Sequence, residues 1–180
     1  GSNDFTIEAF VYLLDNTRQA IINQSVAGAA SDSAFIMYVG SDSKVGIYLH
    51  ENGAGAGWVG ANSNINTAVL NTGTWYHLAA VRHGDKLTMY VDGTATSTTT
   101  LSSAGFTVTN SSRELQIGTQ EGSYYLEGYV EEVRISSEAR YENGANFVSP
   151  NSPFTTQVQH AIQTKCLKGT YDPLYDKVVL

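Results

Sequence analysis

The chain has 180 residues, enough for one well-buried domain. Its formal net charge of −7 excludes the clustered basic surface that nucleic acid or an anionic membrane would require, and only 15% of its residues are charged. A single cysteine, Cys166, rules out an intrachain disulfide, and no apolar run approaches a membrane span, so no membrane insertion is expected.

Residues 4–14 read as the first strand. Phe5, Ile7, Ala9, Val11 and Leu13 share one face, and Glu8, Phe10 and Tyr12 share the other. Asp15-Asn16 is a turn, and residues 18–25 form a second strand around Ala20-Ile21-Ile22. Residues 34–39 and 44–50 form a hairpin across Gly40-Ser41-Asp42-Ser43. Residues 52–64 are a loop rich in Gly, Ala and Asn that holds Trp58.

The best-defined stretch is 74–93, TWYHLAAVRHGDKLTMYVDG. Trp75, His77, Ala79 and Val81 alternate with Tyr76, Leu78, Ala80 and Arg82. Gly84-Asp85 breaks the run, then Leu87, Met89 and Val91 alternate with Thr88, Tyr90 and Asp92. Gly84-Asp85 and Asp92-Gly93 both tolerate positive φ and mark tight turns. Residues 94–100 are a Thr-rich strand, and 114–118 and 124–135 complete the set. Ten or more short strands with close turns, and no amphipathic helix before Ser136, predict an all-β fold: two antiparallel sheets face to face. Trp75, Ala79, Val81, Leu87, Met89, Val91, Ile117, Val133 and Ile135 are the expected inter-sheet core.

Three motifs, in this order, resemble the laminin-G-like, concanavalin A-like lectin/glucanase superfamily. FTIEAFV (5–11) is similar to its FTIEAWV strand. Trp75, His77 and Tyr90-Val91-Asp92-Gly93 match its central hairpin. GYVEEVRI (128–135) is similar to GxIDEVRI, with Glu131 where Asp is usual. The resemblance spans about residues 4–136 and implies a jelly-roll sandwich, with His77 as a packing residue. Ala139-Arg140-Tyr141, Asn146-Phe147, Pro150 and Pro153-Phe154 resemble the tail of such modules in tailed-phage structural proteins. Prolines keep that segment extended, and its aromatics are expected to staple it across the sandwich. Residues 171–180 resemble the opening of a further module, whereas the usual strand before Phe5 is missing. The expected organisation is a sandwich over 1–136, a tail packing on it over 137–168, and a linker with the start of another module over 169–180. The chain then reads as a segment of a longer protein.

Glycoside hydrolysis on this fold needs two carboxylates flanking the scissile bond. Glu131 and Glu132 are adjacent, so a regular strand points them to opposite faces. Glu127 and Glu131 share a face only if the strand is regular through Gly128. His50, His83 and His160 stand isolated, and no His/Cys spacing suggests zinc. No catalytic residue is assigned, and the chain is expected not to be an enzyme.

Sugar recognition needs aromatic faces and amides. Trp58 is the leading candidate, followed by Tyr124 and Tyr125, with Asn52 and Asn62 as amide donors. Relatives in this superfamily often hold calcium in rim loops. Asp15 and Asp42 are the matching candidates here, although none of the loops carries a dense Asp/Asn run. The resemblance implies a non-catalytic glycan-binding module on a virion or other extracellular surface. Its partners would be glycans and other virion subunits, with a homo-oligomer left open. The alternatives are a purely structural virion module, a secreted bacterial adhesin and, least favoured, a glycanase.

Overall fold

The computed structural model describes residues 3–26, 32–52, 57–59, 69–101, 105–151, 171–172 and 177–178. The chain divides into two compact units, 1–149 and 150–180. Among the described residues there are no helices. In the second unit β11 (Tyr171–Asp172) and β12 (Lys177–Val178) pair as an antiparallel ladder.

The first unit is the predicted sandwich. Its strands are β1 (Phe5–Leu13), β2 (Gln19–Gln24), β3 (Phe35–Val39), β4 (Val45–His50), β5 (Trp58–Val59), β6 (Trp75–His83), β7 (Lys86–Val91), β8 (Thr94–Thr100), β9 (Gln116–Ile117) and β10 (Gly128–Ser136). One sheet has the order β10-β1-β6-β7-β8, the other β5-β4-β3-β2-β9. Every strand pairing in these two sheets, among the described residues, is antiparallel. The β7–β8 hairpin closes through Asp92 and Gly93, both at positive φ (48° and 75°), as the Asp-Gly signal requires.

The core lies between the sheets. Ile7, Ala9, Val11 and Leu13 of β1, Leu78 and Ala80 of β6, and Leu87, Met89 and Val91 of β7 meet Met37, Val39, Val45, Ile47 and Leu49 from the other sheet. Burying one such aliphatic side chain contributes roughly 1.5–3 kcal/mol. In β2 a register shift between Ala20 and Ile22 puts the adjacent Ile21 and Ile22 both into this core.

The expected core is corrected in two places. In β6 the inward set is Leu78 and Ala80, so the register is the opposite of the predicted one. Ala79 and Val81 are buried, but on the outer face of the sheet, and Trp75 is 40% exposed. The alternation was ambiguous because both β6 faces are apolar. Arg82 is in fact buried and donates from Nη2 to the Phe106 carbonyl at 2.9 Å, its guanidinium over the Phe106 ring. The second correction concerns Ile117, Val133 and Ile135, all exposed because β9 and β10 are edge strands. In β10 only Val130 packs on the core. The strand is also irregular where the sequence reading took it as regular: the register shifts opposite Ala9, and Glu132 has φ 51°.

Residues 137–149, after β10, lie on the outer face of the first sheet; Pro153-Phe154 of the expected tail lie outside the described residues. Tyr141 and Phe147 stack at 3.6 Å and pack on Ala79, Val81 and Tyr90. Thr6 Oγ1 donates to the Glu138 carbonyl, Tyr90 Oη to the Glu142 carbonyl, and the Phe147 N–H to the Gly93 carbonyl.

Candidate functional site

The outer face of the second sheet carries a row of aromatic rings. Alternation along β3 and β4 sends Val39, Met37, Val45, Ile47 and Leu49 inward, so Tyr38, Tyr48 and His50 point outward. Trp58 is opposite His50 in the β4–β5 pair and shares that face. Tyr38 is opposite Gly46, where a Cβ would press within 3.1 Å of the Tyr38 ring. The missing side chain lets Tyr38 lie across β4, stacked on Tyr48 at 5.3 Å with the rings 5° apart. Trp58 meets Tyr48 edge-on at 6.3 Å and His50 at 5.3 Å.

At the other end, Arg18 sits just before β2 with its Cζ 5.8 Å from the Tyr38 centroid and 4.6 Å from that of Tyr124. Tyr124 holds a positive φ of 50°, and its carbonyl accepts the Ala20 N–H at 2.9 Å, which ties this turn to β2. The row therefore runs Tyr124, Arg18, Tyr38, Tyr48, Trp58, His50 across strands β2 to β5, about 15–20 Å at ordinary strand spacing.

The structure thus links Trp58 and Tyr124 through residues that the sequence reading did not put forward, Arg18, Tyr38 and Tyr48, while His50, read there as isolated, meets Trp58 at the far end and has its Nδ1 2.9 Å from Thr109 Oγ1. The available signal was aromatic residues at outward positions of two successive strands, where polar residues are the norm. Tyr125 is 62% exposed, and its hydroxyl lies beside Gly122. Asn52 is exposed just past β4, with its backbone N–H bonded to the Thr107 carbonyl. Asn62 lies outside the described residues.

Asp15 and Asp42 each serve their own turn. Asp15 Oδ1 accepts the Thr17 N–H at 2.6 Å. Asp42 accepts the Lys44 N–H at 3.3 Å and pairs with Lys44 Nζ at 3.6 Å. Among the described residues no group of three or more His, Cys, Asp or Glu side chains could hold a metal ion.

A second polar constellation centres on a buried carboxylate. Glu8 is fully buried on the outer face of the first sheet, under the 137–149 segment. Its Oε1 accepts from Arg134 Nε and Nη2 at 2.7 Å, and its Oε2 from Tyr141 Oη at 2.7 Å and His77 Nε2 at 3.1 Å. A carboxylate only accepts, so the His77 proton sits on Nε2. Burial alone would raise the Glu8 pKa, but the hydrogen bonds from His77, Arg134 and Tyr141, with the Arg134 charge, hold it below the usual range. Burial and the bond to Glu8 push the Tyr141 hydroxyl well up. This network centres on a fully buried carboxylate, and Arg134 and Arg140 carry it to the solvent edge.

A third feature is a polar cleft of about 420 Å³ beside β9. Within it Asp32 accepts from the Ser112 N–H and hydroxyl and from Arg113 Nε, and Arg113 Nη1 reaches Glu121 at 2.6 Å. The Ser112 bonds lower the Asp32 pKa. The arginine already matches both acids.

Residues 1–143 match the model of the Laminin_G_3 family, described as the concanavalin A-like lectin/glucanases superfamily. A search of curated proteins found no significant match. Among solved structures, a Bacteroides ovatus protein proposed to bind carbohydrate is 24% identical with a TM-score of 0.57, and the match covers 79% of this chain and 40% of that one. The CBM40 of the Ruminococcus gnavus IT-sialidase, bound to α2,3-sialyllactose, is 14% identical with a TM-score of 0.61, covering 79% of this chain and 80% of that one. Domain 4 of AbnA, an extracellular arabinanase of Geobacillus stearothermophilus, in complex with arabinotriose, is 19% identical with a TM-score of 0.56, covering 77% and 63%. This chain therefore spans well under half of the Bacteroides chain, and the likeness to all three is one of fold. With the family model matched over most of its length and the two antiparallel sheets in place, the chain belongs to the concanavalin A-like lectin/glucanase superfamily, in its laminin-G-like family.

Proposed function

We propose that this chain is a non-catalytic module that binds glycans through the outer face of the β5-β4-β3-β2-β9 sheet. The observation that carries the reading is the continuous row from Tyr124 through Arg18, Tyr38 and Tyr48 to Trp58. Stacked rings are rigid before the ligand arrives, so little ordering entropy opposes binding. Their faces suit the apolar faces of sugar rings, and the Trp58 and Tyr124 surfaces, 37% and 40% exposed, are open to them. The length of the row suits an oligosaccharide. Two structures of the same fold hold sialyllactose and arabinotriose, which agrees with this class of ligand. The setting we propose is an extracellular surface, and the resemblance of residues 139–154 to phage module tails favours a virion appendage over a secreted bacterial adhesin.

A glycan array followed by calorimetry on the best hits tests the reading. Trp58→Ala and Tyr48→Ala should each weaken binding by roughly tenfold, as truncated aromatic anchors do. Unchanged affinity in both variants, or in the Trp58→Ala, Tyr125→Ala pair, removes this face as the site.

One observation favours a second reading, a structural module that contacts other virion subunits. Tyr12, Trp75 and Tyr129 form an aromatic cluster on the first sheet, with centroids 5.5–6.5 Å apart. Tyr129 is 58% exposed and Trp75 40%. If Trp75→Lys abolishes incorporation into particles while Trp58→Ala does not, this second reading prevails.

A further inference from the structure

We propose that the glycan taken by the aromatic row is acidic, and that Arg18 binds its carboxylate; this rests on the row being the glycan site. The inference starts from what each arginine does. The chain has five. Arg82 donates to the Phe106 and Gly84 carbonyls. Arg113 bridges Asp32 and Glu121. Arg134 is bound to Glu8, and Arg140 to Glu138 and, at 3.6 Å, to Glu8. Four guanidinium groups thus have anionic or carbonyl acceptors. Arg18 is exposed, and among the described residues it sits against the faces of Tyr38 and Tyr124.

A guanidinium seated on ring faces keeps its N–H donors for another acceptor, and its planar fork fits a carboxylate at two points. The two tyrosines fix where that fork sits. Tyr124 beside it keeps 40% of its surface open, and Tyr48, stacked on the buried Tyr38, is part-exposed on the next strand. A sugar ring carrying a carboxylate has the matching pair of features: a face to stack and an anion at its edge. The row contributes no carboxylate of its own, since its members are Arg18, Tyr38, Tyr48, His50, Trp58 and Tyr124. In a chain of net charge −7, a cation without a carboxylate partner among the described residues, beside a preformed stack, marks where a negative ligand group can be accepted. The shared chemistry is a ring carboxylate, supplied either by a uronic acid or by a sialic acid.

The test is calorimetry on the intact chain with four probes: an oligogalacturonate, its methyl ester, α2,3-sialyllactose and lactose. Wild type should bind at least one acid probe roughly ten- to a hundredfold more tightly than its neutral counterpart, the size of a charge-assisted bidentate contact. The responding pair tells uronate from sialate. Arg18→Gln should bring acid and neutral probes to within about twofold of each other, and Arg18→Lys, which keeps the charge but loses the fork, should recover only part of the difference. Trp58→Ala should weaken acid and neutral probes alike. Thermal unfolding of the Arg18 variants at the wild-type midpoint shows that the fold is intact. An acid preference that survives Arg18→Gln, or equal affinity for acid and neutral probes, overturns this inference and leaves the glycan-binding reading standing when Trp58→Ala still weakens them. Absence of binding to glycans of every kind overturns both.

Discussion

The two outer faces of the sandwich start alike and end differently. Both carry aromatic residues where an antiparallel sheet would normally present polar ones. On the β10-β1-β6-β7-β8 sheet, the 137–149 segment covers part of them: Tyr141 and Phe147 close over His77 and Tyr90, while Trp75 and Tyr129 stay exposed. On the β5-β4-β3-β2-β9 sheet the described residues leave Trp58 and Tyr124 in solvent. The difference lies in what each face needs. The first contains Glu8, a charge that cannot be buried without several donors, and the covering segment supplies one of them, the Tyr141 hydroxyl. Among the described residues the second contains no buried charge, and its rings are held by one another, by the Arg18 guanidinium and by the His50–Thr109 contact. The covered part of the first face stabilises, whereas rigidly held but exposed rings such as Trp58 and Tyr124 are available for a ligand. Stability and binding should therefore respond to different mutations.

The largest effect should come from the covered face. Glu8→Gln leaves Arg134 and Arg140 beside a neutral group and should cost about 3–5 kcal/mol in urea unfolding, the range for breaking a buried pair. The lower end is expected, because the Arg134 side chain keeps 20% of its surface in solvent. Glycan affinity at the open face should be unchanged. A loss of affinity as large as the loss of stability would show that the two faces are not separate.

Gly93→Ala should come next. Gly93 has φ 75°, and a Cβ there would run into the Phe147 carbonyl oxygen, so the covering segment must lift. The left-handed backbone alone costs a non-glycine residue about 1–3 kcal/mol. Faster amide exchange at Phe147, whose N–H bonds to the Gly93 carbonyl, would locate the damage. Unaltered exchange there would mean that the turn, and not the cover, absorbs the change.

Acid should act on the same face more gradually. The folded pKa of Glu8 lies below its unfolded value, so its contribution is complete well above the unfolded value of about 4.3 and is lost as pH falls through the folded one. Stability should drop from about pH 5 downward, and the Glu8→Gln variant should show a shallower fall. Parallel pH profiles for the two proteins would assign the acid sensitivity to other carboxylates.

The same contrast decides what could be read from the sequence. β1 was legible because its two faces differ: Ile7, Val11 and Leu13 against Glu8 and Tyr12. β6 was not, because the covering segment makes its outer face apolar as well, and that segment begins more than fifty residues later. Glu8 stood in a recognised motif, but its burial depends on Arg134 and Tyr141, more than a hundred residues away in sequence. On the open face, Trp58 and Tyr124 stood out as aromatics in loops of small residues. What joins them depends on the β2-β3-β4-β5 order and on the space above Gly46, neither of which local pattern contains.

The smallest expected effect concerns calcium. If binding depends on rings and a guanidinium, removing divalent ions with EDTA should leave glycan affinity unchanged, and added calcium should barely move the unfolding midpoint. Calcium takes six to eight oxygen ligands at 2.3–2.6 Å, usually with several carboxylates converging. Asp15 commits an oxygen to the Thr17 N–H, and Asp42 is paired with Lys44, whose ammonium would repel a cation. Any cation at either turn must compete with these contacts. A midpoint that rises with calcium and loses that rise in Asp15→Asn or Asp42→Asn would return the rim turns to consideration. If glycan affinity fell together with it, the ligand would have to bridge from those turns to the aromatic row, and the open face would be only part of the site.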